Sequence, residues 1–286
     1  KGSETITYTN NSPMDLTYLW VQLDQNRFEQ QALGHQAMEA PDFGDVGFRT
    51  LRNELAREGF EGGYRIKSVR DESGNPLSHS IVDTMMRVQV PVAAGATVGV
   101  AIDWEHNIVN AKAIRARGGY EYFKEDDNYI YTIAQWYPRV AAFTDVNGWH
   151  HKQFLGRGEF ALEFGDYEVA LTVPEDHIVA ATGTLQNPGQ VLTVAQRERL
   201  QRAEGRDEPA FIVTPEEAGK NEKEKAGGNK TWVFRAENVR DFAWASSRKF
   251  IWDAAHVKVG EKKERVWAMS VYPNEGEPLW SKYSPH

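Results

Sequence analysis

Apolar and polar residues alternate with a period of two along most of this chain, and that period predicts strands. Phe160, Leu162 and Phe164 alternate with polar or small residues, and so do Tyr167, Val169, Leu171 and Val173. Gly165 and Asp166 between the two runs predict a β-hairpin, with glycine supplying the positive φ of a type II′ turn. The same period predicts strands over 4–9, 16–23, 64–69, 178–184, 231–235 and 267–271. It also predicts a long strand through Val82, Thr84, Met86, Val88 and Val90, and another through Val98, Val100, Ile102 and Trp104. Asn10-Asn11-Ser12-Pro13, 71–76 and 93–96 are turn clusters between them. Short strands punctuated this often imply a mainly β, antiparallel fold.

Three places break the pattern. Phe48, Leu51 and Leu55 fall at helical spacing, closed by Gly59, Gly62 and Gly63, and predict a short helix. Thr193 with Gln196, and Thr214 with Glu217, are capping boxes that open two more helices, the second with Pro215 at its first position. The charge run Lys220–Lys225 and Gly227-Gly228 complete a helical, charged excursion over about 191–230, expected to be solvated and without a binding role. A domain boundary is expected near 236, giving domains 1–235 and 236–286. Ser284-Pro285 has the form of a helix cap and first residue.

Composition narrows the function classes. The 286 residues suffice for one large domain or two, and 41% hydrophobic content suffices for a core. A net charge of −8 argues against an electrostatic footprint for nucleic acid. No apolar run approaches the roughly 20 residues of a membrane span. The absence of cysteine excludes disulfides and thiolate metal sites and is compatible with an exported protein. The first residue is not Met, so the natural N-terminus is expected to lie upstream.

Tyr129–Val173 is the most informative stretch. A strand runs into Gln135-Trp136-Tyr137-Pro138-Arg139, followed by Asp145, then Gly148-Trp149, then a strand closing on Leu171-Thr172-Val173-Pro174. This order resembles the N-terminal domain of M1 zinc aminopeptidases, above all bacterial members reading YPR-x(5)-DVNGW. Thr5–Pro13 and Leu19–Asn26 resemble the early strands of that family, and Asn238-Val239-Arg240-Asp241-Phe242-Ala243-Trp244 resembles the opening of its catalytic domain. The resemblance implies a large antiparallel, saddle-like β-sheet domain followed by the first strands of a catalytic domain that continues beyond this chain. It further implies a parent enzyme that removes N-terminal residues from peptides with zinc. Gln135 matches the family position that meets the substrate's free amine, with Trp136 and Tyr137 lining the same wall. Pro138, Arg139, Asp145, Gly148 and Trp149 would organise the loop, Arg139 and Asp145 as an ion pair. The commoner family form carries Pro-Cys-x-Asp-Glu-Pro after the arginine, and this chain departs from it.

The zinc chemistry itself needs His-Glu-x-x-His, two histidines one helical turn apart around a general base, plus a further Glu. The eight histidines include no pair at that spacing, so neither catalytic nor metal-ligating residues are assigned to this chain. Among other combinations, His150 and His151 beside Asp145 point to opposite faces of a strand and read as a polar loop. Asp103 and Glu105 share a face from which His106 points away. Glu125-Asp126-Asp127 reads as a solvated loop, Asp83 and Arg87 as a surface pair on one strand, and the many Trp and Tyr mainly as core. The competing reading is a β-sandwich binding module for carbohydrate or protein. The segment 238–244, for which a free-standing module has no need, speaks against it.

Overall fold

Most of the alternating runs become antiparallel pairs, in a computed structural model that describes residues 1–37, 46–156, 161–261 and 264–282. The chain is mainly β, with short helices, and its strands form several antiparallel sheets of two to four strands each. It folds as two compact units. The first holds 1–119 and 135–164, the second 120–134 and 165–286. The expected boundary position, 236, lies inside the strand Asn229–Val239.

In the first unit, Thr97–Glu105 is the middle strand of three. It pairs with Gly2–Thr9 from Gly2↔Trp104 to Thr9↔Thr97, and with Arg65–Asp71 on its other side. Gly2–Thr9 is therefore an edge strand among the described residues. Its alternation sends Gly2, Glu4, Ile6 and Tyr8 to the face of Val100, Ile102 and Trp104, which are buried. A side chain at Gly2 would collide with Trp104, its Cβ falling 2.4 Å from the indole. A second sheet orders His79–Val82, Met85–Val88, Leu19–Gln22 and Arg139–Val140. Leu19, Val21, Met85, Met86 and Val88 fill its core.

The expected long strand through 82–90 is thereby corrected. It breaks at Asp83-Thr84 into a tight hairpin, with Val82 opposite Met85 and Asp83 at φ +49°. A two-residue turn preserves the alternation, so a period-two count passes straight through it. Asp83 consequently does not meet Arg87. Its carboxylate accepts from the Leu33 amide at 2.9 Å, and the Arg87 guanidinium lies 4.7 Å above the Tyr18 ring.

The second unit corrects the hairpin expected over 158–173. Residues 157–160 lie outside the described residues, and 161–164 form no strand. Gly165–Pro174 is a single strand whose partner is Asn229–Val239, paired from Gly165↔Val239 to Pro174↔Asn229. Gly165 and Asp166 continue that strand instead of turning, and Gly165 has no positive φ. Two further sheets order 178–181, 244–247, 128–133 and 119–123, and 210–213, 251–259 and 264–272.

Both capping boxes form: the Thr193 and Thr214 hydroxyls accept from the amides of Gln196 and Glu217, whose side chains bond back. The stretch 191–230 is less detached than its composition suggests. Its segment Ala210–Val213 adds a strand beside Ile251–Val259, and Ala203, Ile212, Val213 and Ala218 are fully buried. Its longest run of exposed residues is 223–229.

Lys249, also fully buried, explains part of this anchoring. Its ammonium meets Asp126, Glu222 at 3.4 Å and Glu275 at 2.9 Å. Burial alone would lower its pKa, but the carboxylates outweigh burial and raise it. Asp126 is thus an ion-pair partner, and Asp127 pairs with Lys225 at 2.8 Å, where a solvated acidic loop was expected. Ser284 and Pro285 lie outside the described residues.

Candidate functional site

The segment after Ile133 leaves its sheet at a residue held in an unusual backbone. Gln135 has φ +55°, the left-handed region that a side chain with a Cβ enters at a cost of about 1–2 kcal/mol. Its carbonyl oxygen accepts the Gln25 amide at 2.7 Å and faces the Tyr64 hydroxyl at 3.4 Å. Among the described residues, the hydrogen bonds to Gln135 go through that carbonyl, and its side-chain amide has no partner. The residue as a whole is 7% exposed. Its backbone is therefore fixed by two distant side chains, and among the described residues its amide is uncommitted.

Trp136 follows, half-buried, with its ring 6.4 Å from Trp104 and 5.1 Å from Tyr137. Tyr137, Pro138 and Arg139 are buried. Arg139 lies opposite Gln22, its guanidinium donating to Asp24 and, at 3.5 Å, to Gln22. This corrects the expected pair of Arg139 with Asp145. Asp145 is exposed in the loop that joins Phe143–Thr144 to Gly148–Trp149. Gly148, at φ +64°, supplies the left-handed residue at the end of that loop. Trp149 is buried, 5.2 Å from Phe143 and 6.2 Å from Tyr8.

Gln25, Tyr64 and His106 join this site from elements that no local sequence pattern connects with it. The His106 ring lies 5.3 Å from Tyr64, and its pKa is lowered by burial, an effect that its bonds to the Asn107 and Trp136 carbonyls oppose. Contacts across more than a hundred residues, as from Gln25 to Gln135, leave no local signature. Asp103 and Glu105 sit elsewhere: Ser68 and Arg70 hold the first, Arg65 and Lys67 the second, and these donors lower each pKa to about 2.

His150 and His151 do not converge. His150 bonds to the Thr144 hydroxyl at 2.9 Å, and His151 stacks on Trp20 with ring centroids 5.0 Å apart. Among the described residues no group of three or more His, Asp or Glu side chains is placed to hold a metal ion.

The aromatic residues divide. Trp104, Trp149, Trp232 and Trp252 are buried as expected, whereas Tyr120, Tyr122, Tyr129 and Tyr131 form a partly exposed cluster on the strands 119–123 and 128–133. Their neighbouring ring centroids are 4.9–6.5 Å apart.

No family model matches the sequence, and no curated protein matches it. Solved structures do show a likeness. The M1 zinc metallopeptidase from Deinococcus radiodurans superposes at a TM-score of 0.45 with 11% identity, over 95% of this chain and 43% of its own. A mutant of a two-domain M1 zinc metallopeptidase bound to L-tryptophan gives 0.44 and 11%, over 95% of this chain and 44% of its own. The chain thus spans less than half the length of these proteins, and similarity at this level does not assign it an activity.

Proposed function

We propose that this chain is the N-terminal, β-rich part of an M1-like zinc aminopeptidase, and that Gln135, Trp136 and Tyr137 line a wall of its peptide entrance. The observation that carries this reading is Gln135, fixed through its carbonyl in a left-handed backbone while its amide meets none of the described residues. Strained residues persist where the surroundings over-determine them, and such positions concentrate at functional sites. The amide oxygen can accept from the free ammonium of a peptide, a charge-assisted bond of about 1.5–3 kcal/mol. The motifs around residues 5–26, 129–174 and 238–244 support the same family.

Zinc and the general base belong, on this proposal, to a catalytic domain outside this chain, whose eight histidines include no pair at the His-Glu-x-x-His spacing. Leu279 and Trp280, 67% and 48% exposed, offer apolar surface on which that domain would dock. The presence of His-Glu-x-x-His in the reading frame beyond His286 is the first check. In the protein extended through that domain, Gln135→Ala should lower kcat/KM for peptide by about 10-fold or more with stability unchanged. Normal kinetics with lowered stability would reduce Gln135 to a structural residue.

The tyrosine cluster favours a second reading, a carbohydrate- or protein-binding module. Aromatic rings with hydroxyl edges suit sugar faces, and glycan binding lost in Tyr129→Ala would favour it over the peptidase.

A further inference from the structure

Four tyrosines share one face of two neighbouring strands. Tyr120 and Tyr122 lie two residues apart on Gly119–Phe123, as Tyr129 and Tyr131 do on Asn128–Ile133. Aromatic pairs across strands commonly stabilise a sheet, and that role needs neither hydroxyls nor solvent. Here the closest pair is open to solvent. Tyr122 and Tyr129 stand 4.9 Å apart between ring centroids, with planes tilted by 35°, and each is 38% exposed. Tyr120 and Tyr131 lie 5.8 and 6.0 Å from Tyr129 and place further phenols beside the pair.

The Tyr122 hydroxyl donates to the Asp127 carboxylate at 3.2 Å. That bond is the main cause of a raised Tyr122 pKa, so the phenol is protonated at neutral pH and its proton has an acceptor in place. Lys225, 2.8 Å away, keeps the acceptor ionised. The turn between the two strands also carries Asp126, the partner of Lys249. A chain without cysteine has no disulfide with which to staple such a turn.

We propose that Tyr122 and Tyr129 are an oxidative cross-linking site, joined ring to ring when a one-electron oxidant of the peroxidase type acts with hydrogen peroxide. Each phenol gives up one electron and its hydroxyl proton, that of Tyr122 passing to Asp127. The two phenoxyl radicals join by one C–C bond between carbons ortho to their oxygens. The hydrogens on those carbons then shift to the oxygens and restore both hydroxyls. The two electrons and two protons released reduce one hydrogen peroxide to two waters. The product ties the two strands covalently across the turn that holds Lys225 and Lys249.

The test treats the 286-residue chain with a peroxidase and hydrogen peroxide and isolates the monomer. The monomer should gain dityrosine fluorescence and lose two hydrogen atoms by mass. Trypsin cuts after Lys124, so the peptides 118–124 and 125–139 should remain joined in the treated monomer and separate in the untreated one. Tyr122→Phe and Tyr129→Phe keep the rings, should leave the circular dichroism spectrum unchanged, and should each abolish the joined peptide. Tyr18→Phe, whose ring meets Trp20 and Arg87, should leave it intact. A monomer without dityrosine, dityrosine formed only between chains, or a joined peptide that survives Tyr122→Phe or Tyr129→Phe would each overturn the proposal.

Discussion

Lys249 and Arg139 are both cations closed off from water, and the two units use them differently. In the first unit Arg139 meets Asp24 beside the strand pair of Arg139–Val140 with Leu19–Gln22, so the ion pair reinforces a register that backbone bonds already set. In the second, Lys249 draws together Asp126 of a turn, Glu222 of the helix Pro215–Glu224 and Glu275 of the turn Asn274–Gly276, three segments with no strand pairing to one another. A buried pair adds little over an apolar substitute, but removing one partner strands the other charge, at about 3–5 kcal/mol. Lys249→Met strands Glu222 and Asp126, whose side chains are 15% and 27% exposed, and should give the largest loss, in that range by denaturant unfolding. Hydrogen exchange should rise first in 215–224. Arg139→Met takes the cation from Asp24 beside a strand pair that backbone bonds hold, and exchange should stay slow in 19–22. Equal patterns of loosening would erase the contrast.

The units also titrate in opposite directions. His177, 5% exposed and 2.7 Å from the Ser246 hydroxyl, has its pKa lowered to about 4, mainly by burial. The native state favours the neutral ring, so its stability contribution is present above the unfolded pKa of about 6.5 and is lost as pH falls through about 4. The loss should be on the order of 2–3 kcal/mol, and His177→Asn should flatten the acid limb.

Glu4 of the first unit behaves conversely. Its Oε1 is shut off from solvent without a hydrogen-bond donor among the described residues, and burial raises its pKa well above the ordinary range. Burial favours the protonated form in the native state, so the contribution is fully present below the unfolded pKa of about 4.3 and is lost as pH rises through the native value. Glu4→Gln should therefore stabilise the chain at pH 8, by about 1 kcal/mol or more, and leave it unchanged at pH 4. Stability of Glu4→Gln parallel to wild type at every pH would remove the opposition between the units.

What could be read from the sequence follows the range of the interactions. The capping boxes at Thr193 and Thr214 were legible because donor and acceptor lie three residues apart. The strands were legible from alternation, but their partners were not. Tyr167–Val173 looks the same whether it pairs across a turn or, as it does, with a strand some sixty residues on. The break at Asp83-Thr84 was hidden because a two-residue turn keeps the period. At the candidate site, Gln135 was singled out by resemblance to a family pattern. Its left-handed backbone, and the Gln25 and Tyr64 side chains that hold it, follow from packing that no local pattern encodes.

That backbone supplies the smallest effect and the sharpest test of Gln135. A left-handed residue with a Cβ carries strain that glycine does not, so Gln135→Gly should be as stable as wild type or more so, by up to about 1 kcal/mol. Gln135→Ala keeps the strain and should lie near wild type. Both remove the amide. If the amide meets the substrate ammonium, both variants should lose peptide turnover to a similar degree in the protein extended through its catalytic domain, although one of them gains stability. If the side chain only supports the turn, activity per folded molecule should survive in both, and stability should fall in the alanine variant. The backbone bonds from Gln25 and Tyr64 to the Gln135 carbonyl persist in either substitution. A difference between the two variants in turnover would therefore point to the backbone conformation and away from the amide.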